Sequence, residues 1–139
     1  MILVDTGPLV AALVPTDVDH HRCVTFFDNY RGDLLISPYV AHEVSYLVER
    51  DMGPKVESAF IRSLARGELI QMELIPADLG RIAELIDTYA DFPLGAADAS
   101  VIALAERFGL SEIATLDHRH FRVVRPRHVE SFRLLPESE

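Results

Sequence analysis

The sequence predicts an α/β domain of three layers, with a mostly parallel sheet between helices. Three observations predict it. The chain opens on an apolar run closed by an acid and a Gly-Pro pair, Ile2-Leu3-Val4-Asp5-Thr6-Gly7-Pro8. Short apolar runs then alternate with longer stretches in which apolar residues recur at helical spacing. A later run, Ile113-Ala114-Thr115-Leu116-Asp117, ends on an acid as the first one does.

Taken in order, Ile2 to Val4 suit a buried strand. Gly7-Pro8 break it and open a helix, because proline is tolerated in a helix's first turn. Pro15-Thr16-Asp17 mark a loop, and a second helix is expected from about Asp19 to Tyr30. His20 and His21 open it. Adjacent histidines point about 100° apart on a helix, so they are read as surface residues, not as a zinc pair. Leu34 to Ile36 form a second strand closed by Ser37-Pro38, and a third helix runs roughly from Tyr39 to Arg50. Gly53-Pro54 end it, and a fourth spans about Lys55 to Arg66.

Leu69 to Ile75 alternates weakly and reads as a third strand. The next helix, about Ala77 to Tyr89, carries Leu79, Ile82, Leu85 and Ile86 as plain core. Pro93 and Gly95 lead into a helix that starts near Ala96 and ends at Gly109. Ile113 to Asp117 form the fourth strand, and Phe132 to Leu135 a fifth, at the edge, ended by Pro136.

Size and composition fit one domain, residues 1–139, with the tail from about residue 136 loose. With 49% hydrophobic residues, disorder is excluded. No apolar run approaches the roughly 20 residues of a membrane span, and no secretion signal opens the chain, so a cytoplasmic protein is expected. Cys23 is the only cysteine, which excludes an internal disulfide or a cysteine zinc cluster. The net charge of −9 argues against a generic nucleic-acid coat. Arginine is nevertheless concentrated late: Arg119, Arg122, Arg125, Arg127 and Arg133 are opposed locally only by Glu130. Such a ridge fits a restricted phosphate contact as well as it fits a solvated arginine face or an acidic partner.

Four acids stand out. Asp5 and Asp117 end apolar runs, where a functional acid competes with a helix cap or a turn former. Glu43 shares its helix stripe with Val40 and Leu47, so it is expected to point inward. Asp98 lies in a first helical turn, where the dipole alone would favour it, yet it shares a face with Val101, Ile102 and Ala105. In a parallel sheet the strands' carboxyl ends and the following helices' N-termini lie on one edge, so these acids can meet. Clustered carboxylates must either take up protons or hold a cation, and an all-oxygen set favours Mg²⁺ or Mn²⁺. Such a site can activate water against a phosphodiester.

The segments Val4-Asp5-Thr6-Gly7-Pro8-Leu9, Ser37-Pro38-Tyr39-Val40-Ala41-His42-Glu43, Leu94-Gly95-Ala96-Ala97-Asp98-Ala99 and Thr115-Leu116-Asp117-His118-Arg119-His120-Phe121 together resemble a PIN domain. More narrowly, they resemble the VapC-type ribonuclease toxins of bacterial toxin–antitoxin pairs. The resemblance implies a three-layer α/β/α fold with a five-stranded sheet. It also implies a Mg²⁺- or Mn²⁺-dependent endoribonuclease that cuts a structured RNA such as tRNA or ribosomal RNA. Its acid pattern falls on Asp5, Glu43, Asp98 and Asp117. Asp5 and Asp98 would be the main metal ligands, Glu43 and Asp117 would complete the set, and Thr6 and Thr115 would orient the carboxylates. A water would attack phosphorus with a carboxylate as base, and the 3′ oxygen would leave. The resemblance further implies a cognate VapB-type antitoxin and toxin homodimers, possibly within a larger complex. Arg119, Arg122, Arg125 and Arg127 are the candidates for contacting RNA.

Competing chemistries fit less well. A haloacid-dehalogenase-like phosphatase wants a second Asp two residues after the first, where Gly7 stands. A receiver-like site wants a lysine near the phosphate, and Lys55, the only lysine, is poorly placed. No Gly-Lys-Ser/Thr motif exists for a nucleotide loop. The remaining alternative is a PIN-like module that binds RNA or protein without cutting.

Overall fold

The computed structural model describes residues 1–137. In chain order the elements are β1 (Ile2–Val4), α1 (Thr6–Leu13), α2 (His20–Asn29), β2 (Leu34–Ile36), α3 (Pro38–Met52), α4 (Pro54–Ala65), β3 (Ile70–Gln71), α5 (Pro76–Thr88), α6 (Ala96–Phe108), β4 (Glu112–Ala114), α7 (His118–Val123) and β5 (Arg133–Leu135). The five strands form one sheet in the order β3-β2-β1-β4-β5, and every pairing is parallel. This is the three-layer α/β/α arrangement expected from the sequence. β1 is the middle strand, with Leu3 registered against both Leu35 and Ile113. Its side chains face helices on both sides, which is why Ile2, Leu3 and Val4 are all apolar and fully buried.

Local signals set the helix starts. Pro38, Pro54 and Pro76 each occupy a first helical turn, where the missing N–H costs nothing. Ser37 caps α3 by accepting from the Val40 N–H at 3.1 Å. α6 ends on Gly109 in the left-handed conformation, φ 66°, as a glycine permits without strain. From Ala99 to Ala105 every residue of α6 is buried, because its small side chains let it lie close against β1, α3 and α5. The Ser100 hydroxyl donates to Ala97 O and meets the Ser37 hydroxyl at 2.6 Å. That dry contact locks the start of α3 to α6, the two helices that carry Glu43 and Asp98.

The structure departs from the sequence reading in places. β3 is only Ile70–Gln71, both exposed, because the weak alternation of the segment supplies no continuous inward face. Leu79 and Ile86 are 46% and 37% exposed; only Ile82 and Leu85 of that stripe reach the core. β4 stops at Ala114, and the expected run to Asp117 is replaced by a turn into α7, a helix that the arginine-rich pattern concealed. His20 is half-buried, with Nδ1 2.8 Å from Ala11 O, so it tethers α2 to α1; His21 alone is exposed. Of the tail, Pro136 O accepts from Arg22 and Glu137 pairs with Arg133, whereas residues 138–139 lie outside the described region. No helix among the described residues is long and apolar enough to cross a membrane.

Candidate active site at the carboxyl edge of the sheet

Asp5 leaves the end of β1 with its N–H bonded to Ala114 O at 2.8 Å, so backbone pairing with β4 fixes where it emerges. It stands at the N-cap position of α1 in an extended conformation, but its side chain caps nothing. The carboxylate turns into a cleft instead. Oδ2 accepts from the Thr115 hydroxyl at 2.8 Å, and Oδ1 is buried without a partner. Thr115 is fully buried, and its oxygen also accepts the Asp117 N–H at 3.0 Å. One hydroxyl therefore positions two of the four acids. Thr6 does not share that role: its hydroxyl is buried but bonds to nothing.

Asp98 projects from the first turn of α6, with Gly95 and not an acid at its N-cap. Asp117 caps α7 by accepting from the His120 N–H at 3.1 Å. Glu43 corrects the expectation from its stripe. It is exposed, on the rim of the cleft, because α3 rolls Val40, Val44 and Val48 inward instead. The four acids and Thr6 nonetheless line a single cleft of about 640 Å³. Gly7 helps to close its floor, since a methyl group there would stand 3.3 Å from the Leu116 side chain. Asp17 and Asp19, between α1 and α2, add two acids to the cleft wall that the sequence reading passed over, one as a loop residue and one as a helix start.

The electrostatics follow from this crowding. Burial pushes Asp5 up to about 6, against the Thr6 backbone N–H and the Thr115 hydroxyl, which favour its charged form. Burial likewise pushes Asp98 up to about 7, and the neighbouring charges of Asp5 and Asp117 add to it. A divalent cation answers both strains. It would satisfy the orphaned Asp5 Oδ1 and offset the repulsion, so the residues present fit a hard metal ion.

Sequence reasoning missed His120. The helix α7 places it three residues after Asp117, and its Nδ1 lies 2.7 Å from Asp117 Oδ2. The Asp117 carboxylate holds its pKa up. Its Nε2 bonds Pro93 O at 2.9 Å, and the ring packs on Phe92 at 4.5 Å between centroids. The signal was the i, i+3 spacing, which is legible only once a helix is expected there.

The arginines do not form one ridge. Arg127 pairs with Glu84 at 2.7 Å, and its N–H bonds Glu106; Arg133 pairs with Glu112 and Glu137. Acids from other elements thus neutralise two arginines that look unopposed in the sequence. Arg119 lies over the Phe92 ring at 4.8 Å, beside the cleft, and Arg122 and Arg125 line a separate surface hollow.

A parallel sheet that delivers acids to its carboxyl edge, with helices completing the cluster, defines the class of fold. The chain belongs to the PIN domain family, whose model matches residues 2–126. It is 33% identical over 135 residues to ribonuclease VapC26 of Mycobacterium tuberculosis, covering 97% of this chain and all of that protein. Among solved structures, it superposes on VapC20 of Mycobacterium tuberculosis, a sarcin–ricin loop cleaving toxin. The TM-score is 0.76 at 17% identity, over 81% of this chain and 87% of that one. A toxin–antitoxin complex from Klebsiella pneumoniae gives a TM-score of 0.66 at 18% identity, over 93% of this chain and all of that one. VapBC2 of Rickettsia felis, solved on a promoter DNA fragment, gives 0.65 at 17% identity, over 96% and 97%. At these identities the structures carry the fold alone.

Proposed function

We propose that this protein is a metal-dependent endoribonuclease and the toxin of a toxin–antitoxin pair. The observation that carries the reading is the Asp5 carboxylate. It is 4% exposed, held by Thr115, lacks a partner on Oδ1, and faces Asp98 across a cleft. A fold stabilised by that carboxylate alone would have satisfied it. Identity to a ribonuclease along nearly the whole chain supports the reaction class.

Asp5 and Asp98 would hold the cation, Mg²⁺ or Mn²⁺, with Asp117 and Glu43 beside them; when bound, it would supply positive charge to acidify a water and offset charge on the phosphodiester. The chain's own residues do the rest. Thr115 fixes the Asp5 carboxylate and the Asp117 backbone, so little reorganisation is needed when substrate arrives. Glu43, the exposed member of the set, takes the proton of the attacking water and returns it to solvent. The water oxygen bonds to phosphorus as the bond to the 3′ oxygen breaks, and the leaving 3′ oxygen takes up a proton from solvent. Arg119, beside the cleft, contacts the RNA backbone, with Arg122 and Arg125 further along.

The substrate is a structured RNA, tRNA or ribosomal RNA, and the partners are a VapB-type antitoxin and a second copy of the chain. Two of the structural neighbours were solved as toxin–antitoxin complexes, which supports such a partner. The test is incubation of antitoxin-free protein with total bacterial RNA in Mg²⁺ or Mn²⁺, beside Asp5→Asn and Asp98→Asn. Discrete products that vanish with chelator and in both variants are expected. A folded wild type that binds metal but cuts no RNA in either ion would instead make the protein a binding module.

A further inference from the structure

We infer that His120 is a metal ligand, and that Asp98, Asp117 and His120 give the outer side of the site a mixed nitrogen–oxygen donor set. The inference rests on the metal-site reading above and adds a donor that the four-acid pattern lacks. Donor atoms of these three residues all lie within 4.8 Å of one another. The tautomer is fixed by chemistry. Pro93 O can only accept, so the Nε2 facing it at 2.9 Å carries a proton. That leaves Nδ1 as the ring atom turned toward the carboxylates. Nδ1 is buried 2.7 Å from Asp117 Oδ2, a contact in which a bound cation would take the place of the proton between them.

A histidine whose far nitrogen donates to a backbone carbonyl while its near nitrogen faces acids is oriented as metal-ligating histidines are. The Phe92 ring, packed at 4.5 Å with its plane tilted by 31°, keeps the imidazole from swinging away. Neighbouring donors on one octahedral ion stand about 3 Å apart and opposite ones about 4.2 Å, so one ion can gather this trio with side-chain shifts under about 1 Å. The orphaned Asp5 Oδ1, in the same cleft, points independently to a cation. Imidazole is a softer donor than carboxylate, so the set favours a first-row transition ion such as Mn²⁺ over Mg²⁺.

The test is pulsed electron paramagnetic resonance of the full chain loaded with one equivalent of Mn²⁺, with natural and ¹⁵N-histidine labelling. A ¹⁴N modulation from imidazole, replaced by ¹⁵N on labelling, is expected. The chain has six histidines, so the assignment uses His120→Gln, with His120→Asn should the first not fold by circular dichroism. The variant should lose the nitrogen signal and bind Mn²⁺ roughly tenfold or more weakly, with a smaller loss for Mg²⁺. Tight Mn²⁺ binding without histidine nitrogen coupling, or coupling retained in the variant, overturns the assignment while the carboxylate site stands. No binding of Mn²⁺ by the wild type overturns both.

Discussion

The Thr115 hydroxyl donates to Asp5 Oδ2 at 2.8 Å, joining residues 110 positions apart in the chain. Because the same oxygen accepts the Asp117 N–H, the bond ties the end of β1 to the turn that opens α7. Replacing Thr115 with valine keeps the shape and deletes the hydroxyl, which leaves Asp5 Oδ2 and the Asp117 N–H without their shared partner. A loss of about 1–3 kcal/mol in stability is expected. Any ribonuclease activity should fall by roughly 10–100-fold, as it does when partners of metal ligands are removed. Thr115→Ser should recover most of both. Chemical denaturation and cleavage rates of the three proteins, side by side, check it.

Asp98→Asn separates stability from activity. The residue stands among like charges that push its carboxyl up to about 7, so removing its charge relieves the metal-free fold. The variant should melt higher than wild type at pH 8 in chelator, by about 3 °C for each kcal/mol gained. Metal binding should weaken and cleavage disappear. A lower melting temperature would mean that the carboxylate is structurally required, contrary to the site described.

The pH dependence of the metal-free protein has a definite sign. Asp5 and Asp98 are raised to about 6 and about 7 by burial, well above their unfolded values. Between pH 4 and pH 8 the native state therefore binds more protons than the unfolded one, and stability falls as pH rises. His120, raised by Asp117, acts in the same direction, since the stability from its charged form is lost as pH climbs through its pKa. Acids lowered by arginine partners, such as Glu106, have the opposite sign but finish titrating at lower pH. Melting curves from pH 5.5 to 8 in chelator should drop by at least about 1 kcal/mol, and excess Mn²⁺ should flatten them. A flat curve without metal would contradict the crowding of these acids.

The arginines divide by what already holds them. The Arg127 guanidinium is paired with Glu84, so Arg127→Ala should lower stability by no more than about 1 kcal/mol and leave RNA affinity nearly unchanged. Arg122→Ala and Arg125→Ala should leave melting unchanged and weaken RNA binding, each reducing the salt slope by about 0.7–0.9 for the one phosphate that its guanidinium neutralises. Binding of a catalytically silent Asp98→Asn background to labelled RNA, titrated with salt, distinguishes the two groups.

These divisions mark what the sequence could and could not reveal. The strands and the acids were legible because burial on both sheet faces forces unbroken apolar runs, and Asp5 and Asp117 interrupt them. Glu43 was misjudged, since stripe spacing fixes a direction only to within the width of a helix face, and α3 settles on its valines. α7 was hidden because a six-residue helix rich in arginine has no apolar stripe to display; Phe121 alone is buried. Without that helix His120 could not be brought to Asp117. Arg127 looked unopposed because Glu84 and Glu106 lie 43 and 21 positions away.

The position of β1 in the middle of an all-parallel sheet has a consequence for how the protein is made. β1 is synthesised before both of its partners, and one of them, β4, follows more than a hundred residues later. Until that strand arrives, Asp5 has no Ala114 to anchor its backbone and no Thr115 to orient its side chain. A growing chain therefore carries the acid of β1 through the synthesis of more than a hundred further residues without possessing the cluster. The cleft is complete only once β4 and the turn after it have been made, so its assembly waits on a contact between two distant parts of the chain.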